Sequence, residues 1–169
     1  VMDIDGTNLR CITESLDQTP SPGVWGKNSS GVYFNVREFG QCNVYHADIK
    51  GKVKKITNGN HMLTMNDLVG SDAVATWTDP SNPSDIISFS IDKPNKINRL
   101  TDVNKDIFYN VEFGEVEEIT YKSVDEKYVQ GWIVKPPNFD SNKKYPGVLR
   151  IHGGPPRMYH VGFKYNFQL

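Results

Sequence analysis

Apolar and polar residues alternate along this chain in short runs, the period-two pattern of a strand with one face buried. Val32-Tyr33-Phe34-Asn35-Val36 follows a Ser30-Gly31 turn, and Asn43-Val44-Tyr45-His46-Ala47, Ala73-Val74-Ala75-Thr76-Trp77 and Ile86-Ile87-Ser88-Phe89-Ser90-Ile91 have the same texture. β-Branched and aromatic residues fill these runs, while Gly, Asn, Asp, Ser and Pro collect between them. No stretch before residue 160 carries a helical period. The pattern predicts a mainly β fold.

Three segments repeat one design: Met2 to Thr13, Ala47 to Thr57 and Ser90 to Thr101. Each is a strand ending, a tight turn and a short strand that closes on an aliphatic residue followed by threonine. Asp5-Gly6 and Lys50-Gly51 supply the positive φ that a hairpin turn requires. Thr13, Thr57 and Thr101 are evenly spaced, near the ~40–45 residues of a four-stranded propeller blade. A β-sandwich also has many short strands, but nothing in it repeats a hairpin at constant period. The expectation for residues 1–105 is therefore a partial β-propeller: an edge at 1–13, a blade at about 20–58 and a second at about 60–101. Closed rings take ~4–8 blades, so further polypeptide is expected upstream.

From residue 102 the repeat does not resume. Phe113 to Ser123 and Tyr128 to Lys135 read as two strands joined at Asp125-Glu126-Lys127, a hairpin that Pro136-Pro137 ends. After an exposed loop, Gly147-Val148-Leu149-Arg150-Ile151 is an apolar run of the kind buried on both faces of a sheet. His152-Gly153-Gly154-Pro155 sits at its carboxyl end, where open α/β sheets place their ligands. An acyl-transfer intermediate carries an oxyanion that fixed N–H donors stabilise at about 3 Å. Glycine lets backbone approach a substrate with no Cβ in the way. The backbone N–H groups of Gly153 or Gly154 are the candidate donors, with His152 packing beneath the turn and Pro155, which has no N–H, fixing it. A Gly-Pro turn that merely ends a strand would use the same residues.

Taken together, Glu117 to Ser123, Gly131-Trp132-Ile133-Val134-Lys135-Pro136, Phe139-Asp140, Lys143-Lys144-Tyr145-Pro146 and Ile151 to Pro155 resemble the entry into the catalytic domain of the prolyl oligopeptidase family (S9), nearest its acylaminoacyl-peptidase and dipeptidyl-aminopeptidase-like branch. Phe163 to Leu169 is similar to the start of that family's first hydrolase helix. Trp25 ahead of Val32-Tyr33-Phe34, and Asp79 to Ile86, are similar to its last propeller blades. The resemblance implies C-terminal propeller blades over 1–105 and the first strands of an α/β-hydrolase domain over 106–169. It implies a serine-type peptidase acting on short peptide substrates, with no cofactor and no metal. α/β-Hydrolases carry the nucleophile on G-x-S-x-G, then Asp, then His. No G-x-S-x-G occurs here, so the expectation is a piece that supplies the oxyanion loop, lacks the Ser-Asp-His triad and is inactive alone. His46, His61 and His160 precede any such serine, the wrong order for the base, and are expected to be surface or locally satisfied.

Composition narrows the partners. The 169 residues carry a net charge of -1 from 19 basic and 20 acidic groups, well mixed, which gives no footprint for nucleic acid or an anionic membrane. No run approaches the ~18 apolar residues of a membrane span, and the start at Val1 shows no signal peptide, so a cytoplasmic, internal piece is expected. Cys11 and Cys42 are too few for a disulfide scaffold and are expected to be free and mostly buried. Asp3-Ile4-Asp5-Gly6 is not a calcium loop, because Asn8 stands where such a loop needs Gly. Asn28-Ser29-Ser30 fits a glycosylation acceptor that arises often by chance. A noncatalytic interaction module is the rival reading, and a lipase or esterase with an H-G-G loop fits the loop but not the repeat. Open sheet edges make self-association a further expectation.

Overall fold

The computed structural model describes residues 1–154 and 157–168. Its first hundred residues form two successive four-stranded antiparallel meanders. The first comprises β1 (Val24–Trp25), β2 (Gly31–Glu38), β3 (Gln41–Asp48) and β4 (Val53–Lys55). The second comprises β5 (Met62–Val69), β6 (Asp72–Thr78), β7 (Asp85–Ser90) and β8 (Lys93–Arg99). One parallel pair, Cys42 with Met62, joins the two. Phe39 (φ 48°) and Gly40 (φ 71°) make the two-residue β2–β3 turn, the mirror-image type whose twist matches a hairpin.

The repeated threonine has a physical job. Thr57 Oγ1 accepts a hydrogen bond from Val44 N at 2.9 Å and donates to Asn43 Oδ1 at 3.1 Å. Thr101 Oγ1 accepts from Ile86 N at 2.9 Å and donates to Asp85 Oδ1 at 2.6 Å. In both meanders the hydroxyl pins the end of the outer strand to the first residues of its neighbour, with the backbone bonds Ile56 N to Val44 O and Leu100 N to Ile86 O beside it. The buried Asp85 carboxylate also accepts from Arg99 and Val103, which fixes the exit from the second meander. Thr13 has no such strand: the first sixteen residues form a turn in which Val1 and Arg10 exchange backbone hydrogen bonds of 2.8 Å, with Ile12 buried against the first meander.

The first meander buries both faces of β2 and β3, whereas β6 and β7 of the second bury alternate residues on one face. Val44, Leu63, Ala73, Ala75, Ile87 and Phe89 pack in a core spanning the two, and Phe34, Val36, Tyr45 and Ala47 pack on the other side with Ile12. Asn35, buried on β2, donates to Leu63 O at 2.8 Å and accepts from Met65 N at 3.0 Å, so its amide satisfies backbone groups of β5 across the seam.

Several expectations are corrected. β5 is a strand that simple alternation does not reveal, because a bulge between Met65 and Asp67 shifts its facing by one residue. A helical turn, α1 (Lys105–Phe108), forms where the sequence carries no helical period. The hairpin forms as β9 (Val116–Lys122) and β10 (Tyr128–Val134), and the chain closes on α2 (Tyr165–Gln168). Residues 147–151 are not a strand. Val148, Leu149 and Ile151 are 95, 86 and 78% exposed, since no strand among the described residues lies alongside to pair with them. Trp25 is 54% exposed and Cys11 is on the surface, whereas Cys42 is buried as expected.

Candidate functional site

His152, Gly153 and Gly154 lie on an exposed, irregular segment and belong to no strand pairing. Pro155 lies outside the described residues. His152 Nδ1 is 3.1 Å from Gly153 O, a contact within the loop, and the imidazole meets the Tyr159 ring edge-on at 5.5 Å. Tyr159 meets Phe167 at 5.8 Å, and the Arg150 guanidinium stands 4.8 Å over the Phe167 ring. A Cβ at Gly153 or Gly154 would meet nothing within 4 Å among the described residues, which leave the space before both backbone segments open.

The loop is flanked by a segment docked at many points. The β2–β3 turn is one: Val161 N donates to Gly40 O at 2.9 Å and Gly40 N donates to Met158 Sδ at 3.2 Å. On the same turn, Gln130 of β10 donates to Phe39 O at 2.9 Å. The second meander is another: Phe163 N donates to Thr78 Oγ1 at 3.1 Å and Gln168 Nε2 to Pro80 O at 3.2 Å. Gln168 also closes on Gly114, accepting from its N–H at 2.9 Å. Phe163 and Tyr165 complete an aromatic group with Phe108 and Phe113, mostly edge-to-face with centroids 5.0–5.7 Å apart. Beneath the turn, Trp132 packs on Cys42, Met62 and Val161 at the seam between the meanders.

The histidines divide. His160 accepts from Gly162 N at 3.1 Å and meets Lys164 Nζ at 3.0 Å; burial, then Lys164 and Arg37, hold it below the ordinary imidazole value. Burial first likewise depresses His61, where Lys55 assists and Asp79 opposes, and His46, where Lys54 assists and Asp48 opposes. The Nε2 atoms of His61 and His46 are buried with no partner among the described residues, so neither is the locally satisfied histidine expected. Sequence reasoning found the glycine loop but missed its supports, Gly40, Met158, Phe163 and Gln168. Only the Phe39-Gly40 turn has a local signal; which segment it touches is set across more than a hundred residues of chain.

No family model matches the chain. An uncharacterized peptidase of Bacillus subtilis, YuxL, is 28% identical to it over 186 aligned positions covering 99% of this chain and 28% of that protein. Dipeptidyl-peptidase 5 of Porphyromonas gingivalis is 30% identical over 132 positions, 78% of this chain and 19% of that protein. The solved structure of Pyrococcus horikoshii acylaminoacyl peptidase superposes with a TM-score of 0.73 at 27% identity, covering 93% of this chain and 24% of that one. The chain thus spans less than a third of the length of these relatives. The two meanders, the hairpin and the glycine loop fall within one continuous likeness to peptidases, consistent with the resemblance to the prolyl oligopeptidase (S9) family.

Proposed function

We propose that the chain is the junction of a serine-type peptidase of this family, with residues 1–105 as propeller blades and 106–169 as the start of an α/β-hydrolase domain. The substrates are short peptides of the acylaminoacyl, dipeptidyl or oligopeptide class. Its chemical contribution is the pair of N–H groups of Gly153 and Gly154, offered to the oxyanion that forms when an external serine attacks the scissile carbonyl. The carrying observation is that both glycines stand clear of strand pairing with open space before them, beside a segment hydrogen-bonded to both meanders. The triad lies outside these 169 residues, so the chain alone has no turnover.

The test has two arms. The chain itself, given fluorogenic dipeptidyl and acyl-peptide substrates, shows no rate above background. In a polypeptide that continues from this chain into a G-x-S-x-G elbow, turnover appears and serine reagents abolish it. There, Gly153→Pro or Gly154→Pro removes one N–H donor, and the variant that deletes the functional donor lowers kcat by about 10²–10³-fold. Serine-reagent-sensitive turnover by the 169 residues, or full activity in both proline variants, rejects the reading.

A further inference from the structure

The β2–β3 turn, the β10 hairpin strand and the segment that follows the glycine loop meet at one point, and the first of these belongs to the opening meander. Gly40 is the pivot. Its φ of 71° already favours glycine, and an added Cβ would overlap the Trp132 ring, standing 2.6 Å from Cη2. Both of its backbone groups are spent on the segment after the loop, the N–H on Met158 Sδ and the carbonyl on Val161 N–H. Trp132 presses against Cys42, Met62 and Val161 at the parallel residue pair that links the two meanders. A hairpin tip needs none of this to close, because the type of turn is satisfied by φ alone.

We infer that Gly40 and Met158 are positioning residues for the Gly153–Gly154 amides: the turn of the first meander sets where the glycine loop stands. The inference rests on the reading of those amides as oxyanion donors. The Tyr159 ring, next to Met158, meets the His152 imidazole edge-on at 5.5 Å, so a close-packed joint with one discrete arrangement passes a displacement of the first meander to the loop through that contact.

The chain with its glycine nitrogens isotopically labelled reports the joint directly, since each of its 14 glycines gives one amide resonance. In Gly40→Ala, the Gly153 and Gly154 resonances shift, while Gly6 and Gly70, which have open space around them, stay put. Adding Trp132→Leu, which makes room for the new Cβ, returns both resonances toward their original positions; a general loss of stability would not be undone by that second change. Should Gly40→Ala unfold the chain, seen as movement of Gly6 and Gly70 as well, Met158→Ala decides, because its half-exposed side chain can be cut without opening the core and the same two resonances move. Unmoved Gly153 and Gly154 resonances in a folded variant, with Gly162 at the joint displaced, overturn the inference. None of these readings involves turnover, so failure here is distinct from failure of the proposed peptidase role.

Discussion

The two meanders and the segment after them are built from similar apolar content but hold it differently. In β2–β3 and β5–β7, each apolar residue has a neighbour across a ladder one or two turns of chain away, and Val36, Val44, Leu63, Ala73, Ala75 and Ile87 are wholly buried. In 147–151 the apolar side chains have no ladder and stand in solvent. A meander completes its own surface from local sequence. An inner strand of an α/β sheet cannot, because both its edges and both its faces are covered by elements distant in sequence.

Removing one buried side chain gives the largest contrast. Phe89→Ala, at 2% exposure in the shared core, should lower unfolding stability by about 3–5 kcal/mol, whereas Leu149→Ala should leave the denaturation midpoint unmoved. Urea titrations followed by tryptophan fluorescence measure both. The exposed run should instead govern association: sedimentation velocity at high concentration should show self-association, and Leu149→Lys should reduce it. A midpoint loss in Leu149→Ala like that of Phe89→Ala would erase the distinction between the regions.

The threonine latch comes next and tests whether the repeat is structural. Thr57→Val keeps the volume but strips the hydroxyl from a buried site, leaving Val44 N–H short of its partner at a cost of about 1–3 kcal/mol. Thr101→Val should cost less, because Ile86 lies nearer solvent. Asp85→Ala in the same latch should fall in the range of about 1.5–3 kcal/mol, since it strands Arg99 and the hydroxyl of Thr101. If both valine variants are neutral, the period is a coincidence of composition.

That latch also marks what the sequence could disclose. The spacing of Thr57 and Thr101 was legible because each acts within its own meander, on a residue thirteen to sixteen positions away. The turn at Gly51 and the β9–β10 hairpin were legible for the same reason. β5 was hidden by its bulge, which breaks alternation at Asn66. Residues 147–151 were misread because an apolar run signals burial without naming what does the burying. The glycine loop was found by its composition, but its attachment through Met158, Val161 and Thr78 depends on contacts 85 to 121 residues apart in the chain, which leave no local pattern.

Acid should produce the smallest effect, and its sign is fixed by the histidines of both regions. His46 and His61 sit in the meanders and His160 beside the loop; burial is the first cause in all three, and each titrates below its ordinary value near 6.5. Below that value the unfolded chain takes up protons that the folded chain resists, so it binds more of them and stability falls with pH. Above it the three contribute no slope. Asp85 adds to the loss further down: burial alone would raise its carboxyl, but hydrogen bonds from Thr101, Arg99 and Val103 together outweigh it and hold it low, so its contribution is full above the ordinary carboxylate range and vanishes as pH drops through its depressed value. Urea midpoints should therefore be level above pH 7 and decline from about pH 6.5 downward. His61→Phe should flatten that first decline in part, leaving the shares of His46 and His160. A midpoint that rises on acidification through that window would mean that the unpartnered Nε2 atoms of His46 and His61 acquire acceptors when protonated, and the buried seam would then be a proton-binding joint rather than a dry one.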